Sequence, residues 1–447
     1  MKQQFNNLST TPFWWEAAPP EDGLGADALM DCDILIIGAG FTGLNAAITL
    51  AEYGAGKIVV VDKMRLGEGA SSRNGGQLRS ASKSSDEQRC KRFGREIGLR
   101  VAEDFRASLP FFLERVRTLG IECHVDMSGL LMGAHTTAHY KAGERRWQSL
   151  ADEQKQREWP VSPDRMQEEI ATGAYRGGYV SLDAGLVHPA LYHKGLRDRA
   201  RALGVSLHSG VEMVKITRGR RDFRVHFAGN RSIQAQRIIS GPNGYVDAAQ
   251  PWLQRRLVPV QSYMIATEEL DEDLVSALIP KDRAVADTKK VLNYYRKSPD
   301  GRRVLFGGRV SFAAIDEHQS AAGLYKLMTA VFPQIKGCKL THSWRGNVAF
   351  TLDWLPYIGC HDGVYYACGY NGNGVVMGSY LGDRIARMVL ADGKSVYGLD
   401  QIRFSALPGY AGNPWFLPVV GTAYRAQDHL SRMLDRGWPP ISERIKR

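Results

Sequence analysis

Gly38, Gly40, Gly43 and Asp62 are the residues whose types and spacing point most directly to chemistry. The glycines stand in G-x-G-x-x-G spacing directly after an apolar run at 34–37, and the acid closes a second apolar run at 58–61. Gly38 suits a tight turn, Gly40 lets backbone approach a pyrophosphate, and Gly43 lets helix and strand pack closely. Amides at the start of a helix running from Thr42 to about Tyr53 would receive the phosphate charge. Asp62, 19 residues after Gly43, is placed to accept hydrogen bonds from an adenosine ribose. Strand, glycines, helix, strand and acid fall in register, which predicts a site for an ADP-containing dinucleotide.

Elements must position such a site, and the composition allows them. The 447 residues suffice for two or three domain-sized cores, and 44% hydrophobic content is that of a globular protein. No run of about 18 apolar residues occurs, so no transmembrane helix is expected. The start, MKQQFNNLSTTPFWW, lacks the charged opening and apolar core of a signal peptide. Six scattered cysteines show no C-x-x-C and no zinc spacing, so they read as reduced thiols of a cytoplasmic protein, with no metal site. The formal charge of +11 is spread along the chain, with small clusters at Arg218, Arg220, Arg221 and Arg224 and again at 444–447. That dispersion favours solubility and anion attraction over a nucleic-acid face.

The chain divides by pattern. Residues 1–30 form an N-terminal arm whose Phe13, Trp14 and Trp15 are expected to lie on the body. Residues 67–85 make a Gly/Ser/Arg/Asn loop of the length that tends to be functional. Helical periodicity follows from Asp86 to about Leu119, and 142–172 also reads as helical. Strand-like runs occupy 205–239 and a β-rich block runs from Val258 to Val310. The expected fold is α/β plus β: a Rossmann-like dinucleotide-binding domain from discontinuous segments (31–95, 175–250 and 340–400), with an inserted β-rich substrate domain (96–174 and 251–339). Residues 401–447 form a C-terminal extension.

The first fingerprint is shared by NAD and FAD, so the choice rests elsewhere. GYNGNGVVMG at 369–378 follows a strand and opens a helix, but its spacing is G-x-G-x-x-x-G and no acid-terminated strand follows. It fails as a second nucleotide site. It works as a helix N-terminus aimed at a flavin ring, where free amides stabilise the negative charge of reduced flavin.

GAGFTGL, GASSRNGGQ (69–77), WRGNVAFTLDWLPYIG (344–359) and GYNGNGVV occur in one order along the chain. In these it resembles the FAD-dependent amine oxidoreductases of the D-amino-acid oxidase-like superfamily, and within it the γ-glutamylputrescine oxidoreductase group. The resemblance implies that Gly38, Gly40, Phe41, Thr42 and Gly43 line the pyrophosphate and that Asp62 with Lys63 meets the ribose. It places Ala70, Ser71 and Ser72 along the phosphates and ribityl chain, and Arg73, Asn74, Gly75, Gly76 and Gln77 at the flavin ring. Backbone at Met213, with Val214 the fallback, would meet adenine, and Gly241 would close over the nucleotide. Gly372, Asn373, Gly374 and Val375 would face the pyrimidine edge.

Departures from the family pattern are equally informative. Gly346 stands where some relatives carry a flavin-linking cysteine, and Asn74 is the nearest counterpart of a linking histidine, so FAD is expected to be non-covalent. Val376 replaces a carboxylate-binding lysine, which points to an amine whose reacting carbon carries no carboxylate. The expected activity is FAD-dependent amine oxidation: hydride passes from the C–N carbon to flavin N5, and the imine hydrolyses to an aldehyde. A γ-glutamyl-polyamine or a related secondary or primary amine is the expected substrate, and oxygen or a quinone the acceptor. Tyr263, Tyr294 and Tyr295 are candidate pocket walls, although strand packing explains any one of them as well. His135, Arg309 and Arg79 are weaker pocket candidates. Two alternatives stand beside this reading: a D-amino-acid dehydrogenase or oxidase, which needs a cation facing the flavin, and a flavin domain acting on RNA.

Overall fold

The structure is a computed structural model describing residues 2–5, 7–80, 82–394 and 397–435; the basic cluster at 444–447 lies outside them. Two eight-stranded sheets organise the chain. In the first, strand Cys32–Ile37 lies parallel to Ile58–Val61 on one side and to Arg231–Ser240 on the other. Ser206–His208 extends the parallel set beyond Ile58–Val61, and Val364–Cys368 extends it beyond Arg231–Ser240. Every residue of Ile58–Val61 is buried, as both-face coverage of a parallel strand requires. The hairpin of Met213–Arg218 and Phe223–Phe227 joins through Arg231–Ser240 and closes a small core on one face. Helices Phe41–Glu52, Gly374–Leu390 and Arg95–Thr118 share the large core on the other face.

The second sheet runs in the order Leu340–Phe350, Val258–Thr267, Val304–Gly308, Asn293–Lys297, Ala284–Asp287, Leu130–Gly133, Gly178–Ser181, Glu158–Val161. One face packs on helix Glu317–Val331. The other face turns toward the nucleotide-binding half.

Several boundaries differ from those read in the sequence. Residues 95–118 form a helix that packs with Phe41–Glu52 and Gly374–Leu390, so they side with the first sheet and not with the second. Conversely, Gly178–Ser181 and Leu340–Phe350 are strands of the second sheet. The stretch 142–172 is not wholly helical: after Thr137–Gln148 and Asp152–Arg157 it enters the edge strand Glu158–Val161. Pro160 fits there, because an edge strand tolerates a missing donor. Among the described residues no helix is long and apolar enough to cross a membrane.

The N-terminal arm is packed on the body. Phe13–Glu16 is a single tight turn, and Trp14 has no exposed surface. It joins Met264, Leu305 and Trp344 in a small core between the arm and the second sheet.

Candidate active site

A cavity of about 2050 Å³, counting the open space at its mouth, runs between the two sheets. Its nucleotide end is built by the first βαβ unit. Gly38 has φ +99°, and a Cβ there would lie 3.1 Å from the Gly241 carbonyl carbon. A Cβ on Gly43 would lie 1.9 Å from the Gly38 oxygen, so the helix seats on the strand only with a bare backbone. Gly43 therefore packs behind the cavity wall, whereas Gly38, Gly40, Phe41 and Thr42 line it.

Asp62 lines the same end. One carboxylate oxygen accepts the Ala39 N–H and the other the Met64 N–H, each at 2.9 Å. Burial pushes this carboxyl upward, and the two amide bonds oppose that shift. Each oxygen keeps a lone pair for a ribose hydroxyl. Lys63 also lines the cavity, but its ammonium is paired with Asp247 at 2.8 Å. Met213 and Gly241 are in the wall; Val214 is exposed elsewhere.

The loop at 69–77 forms the middle. Ala70 and Ser71 line the cavity, and the Ser71 hydroxyl accepts the Phe41 N–H at 3.0 Å. Ser72 does not line it: its hydroxyl donates to the Gly67 carbonyl and accepts the Trp15 indole N–H. Arg73, Asn74, Gly75 and Gln77 reach the wall, while Gly76 is turned against the Val187 carbonyl. Three side chains from remote elements grip this loop by its carbonyls. Trp344 donates to the Arg73 oxygen and Trp14 to the Asn74 oxygen, both at 2.8 Å, and Arg296 donates to the Gly76 oxygen at 3.0 Å. The loop is a rigid shelf.

Facing it is the N-terminus of helix Gly374–Leu390. Gly372, Gly374 and Val375 line the cavity. Asn373 caps the helix, and its side-chain oxygen accepts from Arg79 Nε at 3.2 Å. Val376 is a correction to the sequence reading. It is buried in the large core and absent from the cavity lining, so it says nothing about a substrate carboxylate.

The end of the cavity beyond the shelf is walled by Ser262, Met264, Ala286, Leu292, Tyr294, Arg79 and Arg309. Tyr294 hydrogen-bonds Ser262 at 3.0 Å. Tyr263 and Tyr295 are corrections: they point to the opposite face of their strands, into the core beneath Glu317–Val331. Tyr263 is bonded to Gln261 and Tyr295 to Tyr175. Successive strand residues face opposite ways, so of Tyr294 and Tyr295 only one can reach the cavity. His135 is also outside; its ring bonds the Asp428 carbonyl. Arg79 and Arg309 have no acidic partner among the described residues. Burial lowers the pKa of both, and the Arg309 Nε has no hydrogen-bond partner among the described residues. Arg309 was legible only as a bare candidate, since an arginine just past the end of strand Val304–Gly308 carries no signal of the direction it takes.

The residues present fit an FAD. Ribose acceptor, bare glycine turn, shelf and helix N-terminus follow one another along one cavity. At the ring end a Cβ on Gly75 would lie 2.8 Å from the Tyr294 ring. Among the described residues no cysteine lines the cavity, and the one histidine that does, His193, is bonded to the Ala39 carbonyl at 2.7 Å.

Residues 33–388 match the family model described as DAO, FAD dependent oxidoreductase. The chain belongs to this family. The γ-glutamylputrescine oxidoreductase of Escherichia coli is 29% identical over 401 residues, covering 88% of this chain and 92% of that protein. A probable oxidoreductase, OrdL, of Haemophilus influenzae is 30% identical over 373 residues, covering 80% and 83%. Glycine oxidase from Geobacillus kaustophilus superposes with TM-score 0.67 at 20% identity, over 85% of this chain and 99% of that one, which shows a shared fold. This DAO-family chain is an FAD-dependent oxidoreductase acting on C–N groups.

Proposed function

We propose that the chain oxidises an amine that also carries a carboxylate, with a γ-glutamyl amine as the leading form and oxygen or a quinone as acceptor. The observation that carries this is the pair of arginines, Arg79 and Arg309, in the cavity wall without an acidic partner among the described residues. Two half-buried cations left uncompensated are costly, and a substrate carboxylate offsets that cost through charge-assisted bonds. The likeness to a γ-glutamylputrescine oxidoreductase supports a γ-glutamyl amine, whose carboxylate is remote from the reacting carbon. The same arginines favour a second reading, an amino acid whose carboxylate adjoins that carbon.

FAD, when bound, supplies the two-electron oxidation of the C–N bond. The chain contributes position and electrostatics. Arg79 and Arg309 hold the carboxylate and disfavour a second positive charge, so the substrate nitrogen is kept neutral. Met264, Ala286 and Leu292 exclude water. The helix N-terminus at Gly374 stabilises negative charge at the ring edge. No side-chain base is required.

Anaerobic flavin bleaching tests the reading. γ-Glutamylputrescine or a small amino acid should bleach the yellow protein, and putrescine, which lacks a carboxylate, should not. Arg309→Met should raise KM by about tenfold or more, the loss of one charge-assisted bond. Bleaching by putrescine as fast as by its γ-glutamyl derivative would overturn it.

A further inference from the structure

Helix Leu417–Met433 is built the wrong way round for a surface helix. Such a helix normally turns its apolar stripe to the core and its charges to water. Here charged groups reach back to the body. Asp428 accepts the Lys290 and Val291 amides at 2.9 and 3.0 Å, and Arg425 donates to the Val310 carbonyl at 2.9 Å. Asp435, just past the helix, pairs with Arg176 at 3.0 Å. Leu417, Gly421 and Tyr424 add apolar contact on the same side, the last two against Phe312.

The outward side is apolar. Trp415, Val419, Leu430, Met433 and Leu434 are each between 56% and 70% exposed, and Ala423 and Ala426 are exposed between them. No charged residue interrupts positions 419, 423, 426 and 430, which share one helix face. Single exposed apolar side chains are ordinary, whereas a contiguous row marks a surface that something covers.

The row has the same spacing in both directions: 4, 4, 3, 4, 4 from Trp415 through Val419, Ala423, Ala426 and Leu430 to Leu434. A second copy laid antiparallel, about a twofold axis between Ala423 and Ala426, sets Val419 against Leu430 and Trp415 against Leu434. Ala423 then meets Ala426. Small residues at the centre let two helix backbones approach, and larger ones fill the flanks. The contact is isologous, as a twofold dimer requires. It also sets no charge against a like charge, in a chain whose net +11 otherwise drives copies apart.

We propose that this row is a dimer interface, through which two copies pair by helix Leu417–Met433 in the antiparallel register. The helix holds the main chain at 290–291 and at Val310, next to Leu292 and Arg309 of the cavity wall, so the pairing braces that wall in both copies. One helix face is smaller than a standard interface of about 800 Å² per partner, so the pair exchanges, with a Kd on the order of 1–100 µM.

Sedimentation velocity of the purified holoenzyme from about 1 to about 200 µM, a range that spans that Kd, tests the proposal. The mass should rise from one chain to two. Val419→Lys and Leu430→Glu should each keep the protein monomeric. Both side chains are exposed in the single chain, so Tm and flavin absorbance at the dilute end should not change, which separates lost pairing from misfolding. The double variant Val419→Lys with Leu430→Glu should pair again, because positions 419 and 430 face one another across the twofold. A protein that stays monomeric over the whole range overturns the proposal, and so does one whose row binds anionic phospholipid vesicles in place of pairing. A dimer untouched by Leu430→Glu puts the interface elsewhere and overturns it too. A double variant that stays monomeric overturns the antiparallel register.

Discussion

The indole N–H of Trp14 donates to the main-chain oxygen of Asn74 at 2.8 Å, across 60 residues of sequence. An arm that precedes the nucleotide fold thus fixes the shelf on which the flavin ring would rest. Trp14→Phe keeps an aromatic side chain and removes the donor, leaving a half-buried carbonyl unpaired. That should weaken FAD binding by about 1–3 kcal/mol with little change in the apoprotein's fold. A fluorescence titration of apoprotein with FAD measures it, and an unchanged Kd would separate the arm from the site.

Asp62 has two tasks, ribose acceptor and anchor for the Ala39 and Met64 amides. Asp62→Ala should therefore lower FAD affinity by roughly 1–3 kcal/mol and also lower the apoprotein Tm. Loss of affinity with Tm unchanged would show that the amide bonds are dispensable.

Val376→Lys should not create a carboxylate site. The position lies in the large core, so an unpaired lysine there costs several kcal/mol. The expected result is a large fall in Tm or insoluble protein. A stable variant that gains sarcosine oxidation would return Val376 to the substrate wall.

FAD should leave the protein when it is denatured. The cavity holds no cysteine, Gly346 offers no nucleophile, and His193 is committed to the Ala39 carbonyl. Acid precipitation should release all yellow colour into the supernatant; a coloured pellet would mean a covalent bond.

His135 makes stability depend on acidity. Burial lowers its pKa from 6.5 to about 4. The unfolded chain therefore takes up a proton in that window before the folded one does. Its contribution is fully present above about 6.5 and is lost as pH falls toward 4, at up to about 1.4 kcal/mol per pH unit. His135→Gln can keep the bond to Asp428 and should flatten the fall of unfolding free energy between pH 6.5 and 4 relative to the unmodified protein. Parallel curves would refute this.

The nucleotide half was legible because its chemistry is local: Gly38, Gly40, Gly43 and Asp62 sit within one βαβ unit, where spacing alone sets geometry. The substrate half was not, because it depends on strand facing. Tyr294 and Tyr295 are indistinguishable as letters, and only register sends one inward. Val376 misled for a related reason. A motif position transfers, but which way the first helical turn faces does not.

Strand Arg231–Ser240 lies between Cys32–Ile37 and Val364–Cys368, so the flavin cradle closes only when three distant stretches have met. During synthesis, a ribosome that has released the glycine turn and Asp62 still lacks the Gly241 turn and the Gly374 helix end. FAD cannot be gripped by the nascent chain. Loading is therefore a late event, and every emerging copy passes through an interval in which the apolar strands are made but the cofactor cannot yet hold them together.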